Sequence, residues 1–208
     1  MNHLTYGFKN LGSTCFFNCA VQSLLSIPKL DSFLQLVSTS PYKKHPTTFI
    51  DMLLSLKNDP SNIIRTYILL LKHDSKYDNF SEQHDVHECL LSLFDMIDIE
   101  VKKSFTVKVE SIFEIGKIAI YLKCNECGYN SKKDESFSIL SLPMNNAISS
   151  LKDCFIEYMD DKNNYEIVEW ECDKCKAVKD GMKTTRIKTL PPFLFIHFNR
   201  FNFDFDSE

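Results

Sequence analysis

The run GFKNLGSTCFFNCAVQSLLSIP, from Gly7 to Pro28, decides how this chain is read. Its apolar residues Phe16, Phe17, Ala20, Val21, Leu24 and Leu25 recur three and four apart, which predicts a helix. Ser13 or Thr14 would cap its start, Gly12 would let the backbone bend just before it, and Pro28 would stop it. Cys15 then falls in the first turn. Unpaired backbone N–H groups and the helix dipole favour an anion there, and the thiolate is the nucleophilic form of cysteine. A buried structural cysteine would satisfy the same run, because free cysteine also behaves as a small apolar residue.

Outward from this run, apolar spacing predicts further helices within Phe49 to Leu56, Ile63 to Leu71 and Val86 to Ile99. Polar breaks separate them around Pro41, around Pro60 and before Phe80. From Thr106 the pattern turns to strands: Ile112 to Leu122, with a bulge expected at Gly116, and Phe137 to Leu142. A short amphipathic helix follows, with Leu151, Cys154, Phe155 and Tyr158 on one face and a turn at DDKNN. The final strand is PFLFIHFNRFNFDF, where Phe201, Phe203 and Phe205 alternate with polar residues. A helical half followed by a mixed half argues an α+β fold. If the chain ended at Glu208, this last strand would be expected to lack neighbours and form an exposed edge.

The 208 residues are 44% hydrophobic and 25% charged, ordinary values for a globular protein. A formal net charge of −4, with no Lys/Arg stripe among aromatics, argues against nucleic acid and against a membrane surface as partners. The start, MNHLTYGFKN, lacks the basic and apolar regions of a signal peptide, so an intracellular protein is expected. In a reducing compartment the eight cysteines are read as thiols or metal ligands rather than disulfides. Two Cys-x-x-Cys pairs stand out, Cys124 with Cys127 and Cys172 with Cys175. Four soft ligands suit one closed structural zinc site per chain; redox-active or coincidental pairs are the alternatives. Lys123, Lys132, Lys174, Lys176 and Lys179 would offset the charge of the thiolates. Cys19, Cys89 and Cys154 read as core or surface thiols, and His45 and His73 as solvated.

GFKNLGSTCFFN resembles the cysteine box of the ubiquitin-specific proteases. Two further boxes of that family are matched in order, by EQHDVHECLLSLFDMI from Glu82 to Ile97 and by LPPFLFIHFNRF from Leu190 to Phe201. The two Cys-x-x-Cys pairs lie between them, where many members carry zinc ligands. The resemblance implies a papain-like cysteine protease of thumb-palm-fingers type. Residues 1–104 would form the helical thumb, 105–185 the zinc-binding fingers and 186–208 the start of the palm. It implies that Cys15 attacks the carbonyl after ubiquitin's C-terminal glycine and that the Asn10 amide donates to the oxyanion. Gln83 and Asp85 would grip the extended ubiquitin tail, whose arginines suit carboxylates. Ubiquitin or ubiquitinated proteins are thus the implied partners.

In this family the general base is a histidine in a Gly-His-Tyr-type segment several strands beyond the IHFNRF-like box, followed by an orienting Asp or Asn. No residue up to Glu208 matches it. His197 lies inside the box on a strand, at a position that the family uses structurally, and His84 with His87 lacks the HExxH pattern of a metal site. The implied function is a deubiquitinating cysteine hydrolase, and the alternative is an inactive ubiquitin-binding pseudo-protease that keeps the tail-gripping helix and zinc fingers.

Overall fold

Helix α1 (Cys15–Leu25) buries all six apolar residues that predict it. The computed structural model describes residues 7–79, 81–105, 113, 116–144, 148–160, 165–191 and 193–200. Pro28, expected to stop α1, also begins α2 (Pro28–Thr39). Proline suits that place because its missing N–H is one that a first turn leaves unpaired in any case. Then come α3 (Thr48–Ser55), α4 (Ile63–His73) and α5 (Val86–Ser104), with 3-10 turns at Pro60–Asn62 and Ser75–Tyr77. The chain divides into two compact units, Met1–Ile112 and Phe113–Glu208.

Aromatic packing locks the helical unit around α1. Phe17 stands edge-on to Tyr67 with ring centres 5.0 Å apart, and Phe16 stacks on Tyr77 at 5.6 Å. The buried Tyr67 hydroxyl donates to the Tyr77 carbonyl at 2.8 Å, so its burial leaves no unpaired polar group. Glu100, on α5, accepts from the backbone N–H groups of Phe49 and Ile50 at 2.7 and 2.9 Å. A side chain fifty residues away thereby satisfies the first turn of α3, whose own N-cap residue, Thr47, makes no capping bond. His73, expected to be solvated, lies 3.2 Å from Asp95.

The second unit is built on a four-stranded antiparallel sheet of order β2-β1-β5-β4, from β1 (Gly116–Cys124), β2 (Asn130–Phe137), β4 (Tyr165–Cys172) and β5 (Ala177–Thr189). The expected strand from Phe137 to Leu142 is broken: Phe137 ends β2, and β3 (Ile139–Pro143) starts beyond Ser138. Gly116 is not itself the bulge. The register between β1 and β5 shifts at Lys117/Ile118, while at Gly116 a Cβ would lie 2.6 Å from the Phe137 ring, which would have to move to admit it.

The final strand does have a neighbour. β6 (Phe195–Asn199) pairs in parallel with β3, contrary to the expected unpaired edge; its proposed continuation through Phe201, Phe203 and Phe205 lies outside the described residues, as does most of DDKNN. Helix α6 (Leu151–Met159) buries Cys154 in a cluster with Leu140 and Leu142 of β3, with Phe155 and Tyr158 packed alongside. Leu151, expected on the same face, is 47% exposed, since it stands at the helix start.

Candidate active site and metal centre

Cys15 is the first residue of α1, and its side chain is exposed. The turn before it is held by Asn10, whose Oδ1 accepts from the Thr14 N–H at 3.1 Å and from the Thr14 hydroxyl at 3.0 Å. Thr14 Oγ1 in turn accepts from the Leu11 N–H at 3.0 Å. Thr14 therefore occupies the N-cap position but does not cap α1, as sequence suggested that it or Ser13 would; its hydroxyl is engaged backwards in the turn. Because a backbone N–H can only donate, the carboxamide atom facing Thr14 is the oxygen, and the Asn10 Nδ2 points away from the turn. Asn18, one turn along α1, donates to the carbonyls of Phe8 and Lys9 at 3.4 and 3.3 Å and ties the incoming loop to the helix. Sequence reasoning passed over Asn18, although it stands in the quoted box.

The second box comes to the same place. Ser13 donates to the Ser81 carbonyl at 3.2 Å, joining the turn before Cys15 to the loop before α5. Asp85 is the N-cap of α5 and accepts from the His87 N–H at 2.8 Å; Gln83 is exposed two residues earlier. His84 precedes α5 rather than sharing it with His87, and its ring lies edge-on to Phe16 and Tyr77 at 5.1 and 5.0 Å. Aromatic packing, not metal ligation, is what those contacts provide. His197 lies on β6 with its Nδ1 3.4 Å from the Ser141 hydroxyl. Cys19 is exposed on the next turn of α1, and burial pushes the Cys89 thiol up to about 12, which leaves it an inert core residue.

Both Cys-x-x-Cys pairs sit at hairpin tips. The turn between β1 and β2 carries Cys124 and Cys127, and that between β4 and β5 carries Cys172 and Cys175; pairing of β1 with β5 brings the tips together. The long gap between the pairs is the chain that builds β2, β3, α6 and β4. All four sulfurs lie within 4.8 Å of one another, with Cys127 to Cys172 at 3.6 Å and Cys124 to Cys175 at 4.0 Å. Tetrahedral ligands with metal–sulfur bonds of about 2.3 Å stand about 3.8 Å apart, so the donor set fits one such ion. Backbone N–H groups, Cys127 first, lower the Cys124 thiol to about 7, while hydrogen bonding to Cys127 pushes Cys175 up to about 12. Four thiolates cannot share this volume without a cation, so metal uptake displaces protons. Lys179 pairs with Glu126 at 2.8 Å beside the sulfurs, whereas Lys132 lies over the Tyr121 ring instead.

The chain has an α+β fold in which a helical unit carries an exposed cysteine at a helix start and a β unit gathers four cysteines at its hairpin tips. The sequence profile of the family described as ubiquitin carboxyl-terminal hydrolase matches residues 6–208, and the chain belongs to that family. It is 25% identical to ubiquitin carboxyl-terminal hydrolase 47 of Drosophila melanogaster and 28% identical to ubiquitin carboxyl-terminal hydrolase 24 of Mus musculus, over 97% of its own length in each case. It spans 13% and 8% of those relatives. Among solved structures it is similar to a chain of the SAGA DUB module Ubp8/Sgf11/Sus1/Sgf73 bound to monoubiquitin, with a TM-score of 0.73 and 19% identity, covering 97% of this chain and 49% of that one. A chain of the same module bound to ubiquitin aldehyde gives a TM-score of 0.68 at 20% identity.

Proposed function

We propose that the chain is a deubiquitinating hydrolase domain in which Cys15 is the nucleophile. The observation that carries this reading is the clasp of Asn10 on Thr14, which leaves an exposed thiol at an uncapped helix start and turns the Asn10 amide outward. The Cys15 thiolate adds to the carbonyl carbon after ubiquitin's C-terminal glycine. The resulting oxyanion is met by Asn10 Nδ2, an interaction worth on the order of 3 kcal/mol in the transition state. Collapse expels the lysine amine and leaves a thioester, which water resolves. Protonation of the amine and activation of the water are the work of the family's histidine, a role assigned to no residue of 1–208. Gln83 and Asp85 hold the basic ubiquitin tail beside Cys15, a placement supported by the bond from Ser13 to Ser81.

The four cysteines hold one structural zinc ion, which would cross-link the two hairpin tips and supplies no step of the hydrolysis. The test is incubation with ubiquitin bearing a C-terminal electrophile, followed by intact-mass analysis. An adduct that disappears in Cys15→Ser is expected. Ubiquitin binding without an adduct would instead make the chain a pseudo-protease, and neither binding nor adduct would end the ubiquitin reading.

A further inference from the structure

The hydroxyl of Thr14 faces away from the helix that its residue begins. Threonine at an N-cap ordinarily accepts a hydrogen bond from an N–H of the first turn. Thr14 is the N-cap of α1 and makes no such bond. It is fully buried, and its hydroxyl both accepts and donates within the preceding turn. The Leu11 N–H, which can only donate, meets Oγ1 at 3.0 Å, so the single hydroxyl proton goes to Asn10 Oδ1, also at 3.0 Å. Thr14 gives its own N–H to the same oxygen at 3.1 Å. One residue thereby fills both lone pairs of Asn10 Oδ1. A flipped carboxamide would set Nδ2 against two donors, so the orientation of this amide is fixed although Asn10 itself is exposed.

We propose that Thr14 is a positioning residue for the hydrolysis: its hydroxyl holds Asn10 so that Nδ2 is aimed at the oxyanion before the Cys15 thiolate adds. This rests on the roles of Cys15 and Asn10 proposed above. A hydroxyl that served stability alone would cap α1, and Thr14 forgoes that bond for one to Asn10. The forgone cap also leaves the first-turn N–H groups beside Cys15 unclaimed by the N-cap side chain, where they favour a thiolate. An exposed carboxamide held by nothing would lose rotamer freedom on meeting the oxyanion, whereas a donor fixed beforehand does not. The hydroxyl acts through Asn10 and takes no part in the bond changes.

The test compares two ligands on the full chain, ubiquitin with its native carboxyl terminus and ubiquitin aldehyde. With the aldehyde, the Cys15 sulfur bonds to the carbonyl carbon, the π pair passes to the oxygen and the thiol proton neutralises it. The product is a hemithioacetal whose oxygen stands where the oxyanion would. The ratio of the two dissociation constants, measured by calorimetry, isolates that oxygen, since partial unfolding of a variant weakens both ligands alike. The parent should favour the aldehyde, and Cys15→Ser should abolish the preference. Thr14→Val keeps the buried shape and removes the hydroxyl. It should lower the ratio about tenfold while the constant for ubiquitin itself changes less than about twofold. Thr14→Ala is read in the same way should the valine variant not fold. Thr14→Ser should restore the ratio to within about twofold of the parent. Thr14→Val combined with Asn10→Ala should fall no further than Asn10→Ala alone, because residues that act as one unit are not additive. An unchanged ratio in Thr14→Val, equal weakening of both ligands, or additive losses in the double variant would overturn the proposal while leaving Cys15 as the nucleophile. A parent with no Cys15-dependent preference for the aldehyde would end the nucleophile reading, and this inference with it.

Discussion

Asn10 has an observed task in the turn and a proposed one at the oxyanion. Its oxygen shapes the turn before Cys15, and that bond is what directs its amide nitrogen outward. Asp85 likewise has an observed role, the cap, and a proposed one in gripping ubiquitin. It caps α5, so Asp85→Ala should cost about 1 kcal/mol of stability as well as weakening ubiquitin binding. Asp85→Asn retains the cap and removes the charge. It should melt within a degree or two of the parent while binding ubiquitin more weakly; equal affinity by titration would leave the tail-gripping role without support. At the metal knuckles, Gly128 and Lys176 occupy corresponding places after the second cysteine of each pair, with φ of +67° and +53°. Lysine in that left-handed region bears a steric cost that glycine avoids. Lys176→Gly is therefore expected to stabilise the protein by up to about 1 kcal/mol, and a lower melting temperature would contradict this.

Elements with buried stripes were readable, and those without were not. α1, α3, α4 and α5 repeat apolar residues at helical spacing and bury them. β2, by contrast, reads NSKKDESF and buries no residue fully, so no period-two signal marks it; it exists because it pairs with β1 over its whole length. The cap of α3 was equally invisible, since Glu100 lies on another helix. Glu100→Gln should cost about 1–2 kcal/mol, because an amide can accept only one of the two N–H bonds cleanly. Burial outweighs those bonds and raises the Glu100 carboxyl above its ordinary 4.5, so the folded state holds this proton more tightly than the unfolded one. The stability linked to that shift is complete below pH 4.5 and is lost as pH rises through the raised value. The melting-temperature gap between parent and Glu100→Gln should accordingly widen as pH falls from 7 towards 5, and a constant gap would show that the shift is absent.

At the scale of the whole molecule, two compact units with separate cores should respond separately to loss of metal. Metal analysis should find about one zinc per chain, and a chelator or Cys172→Ser should raise amide exchange along β1, β2, β4 and β5 while leaving α1 to α5 protected. Unchanged exchange in the strands would remove the structural metal, and loss of protection throughout would join the two units into one cooperative block. Among the described residues no helix is long and apolar enough to cross a membrane. Sequence by itself determined the helical half, the cysteine at a helix start, the family and the four metal-ligand candidates, because each is written in local spacing or short motifs. Tertiary structure alone decided that two hairpin tips meet, that Glu100 caps α3, that Ser13 reaches Ser81 and that Lys188 reaches Asp134 across β1. Those contacts join residues far apart in the chain, and strand pairing and helix packing, rather than any local pattern, bring them within bonding distance.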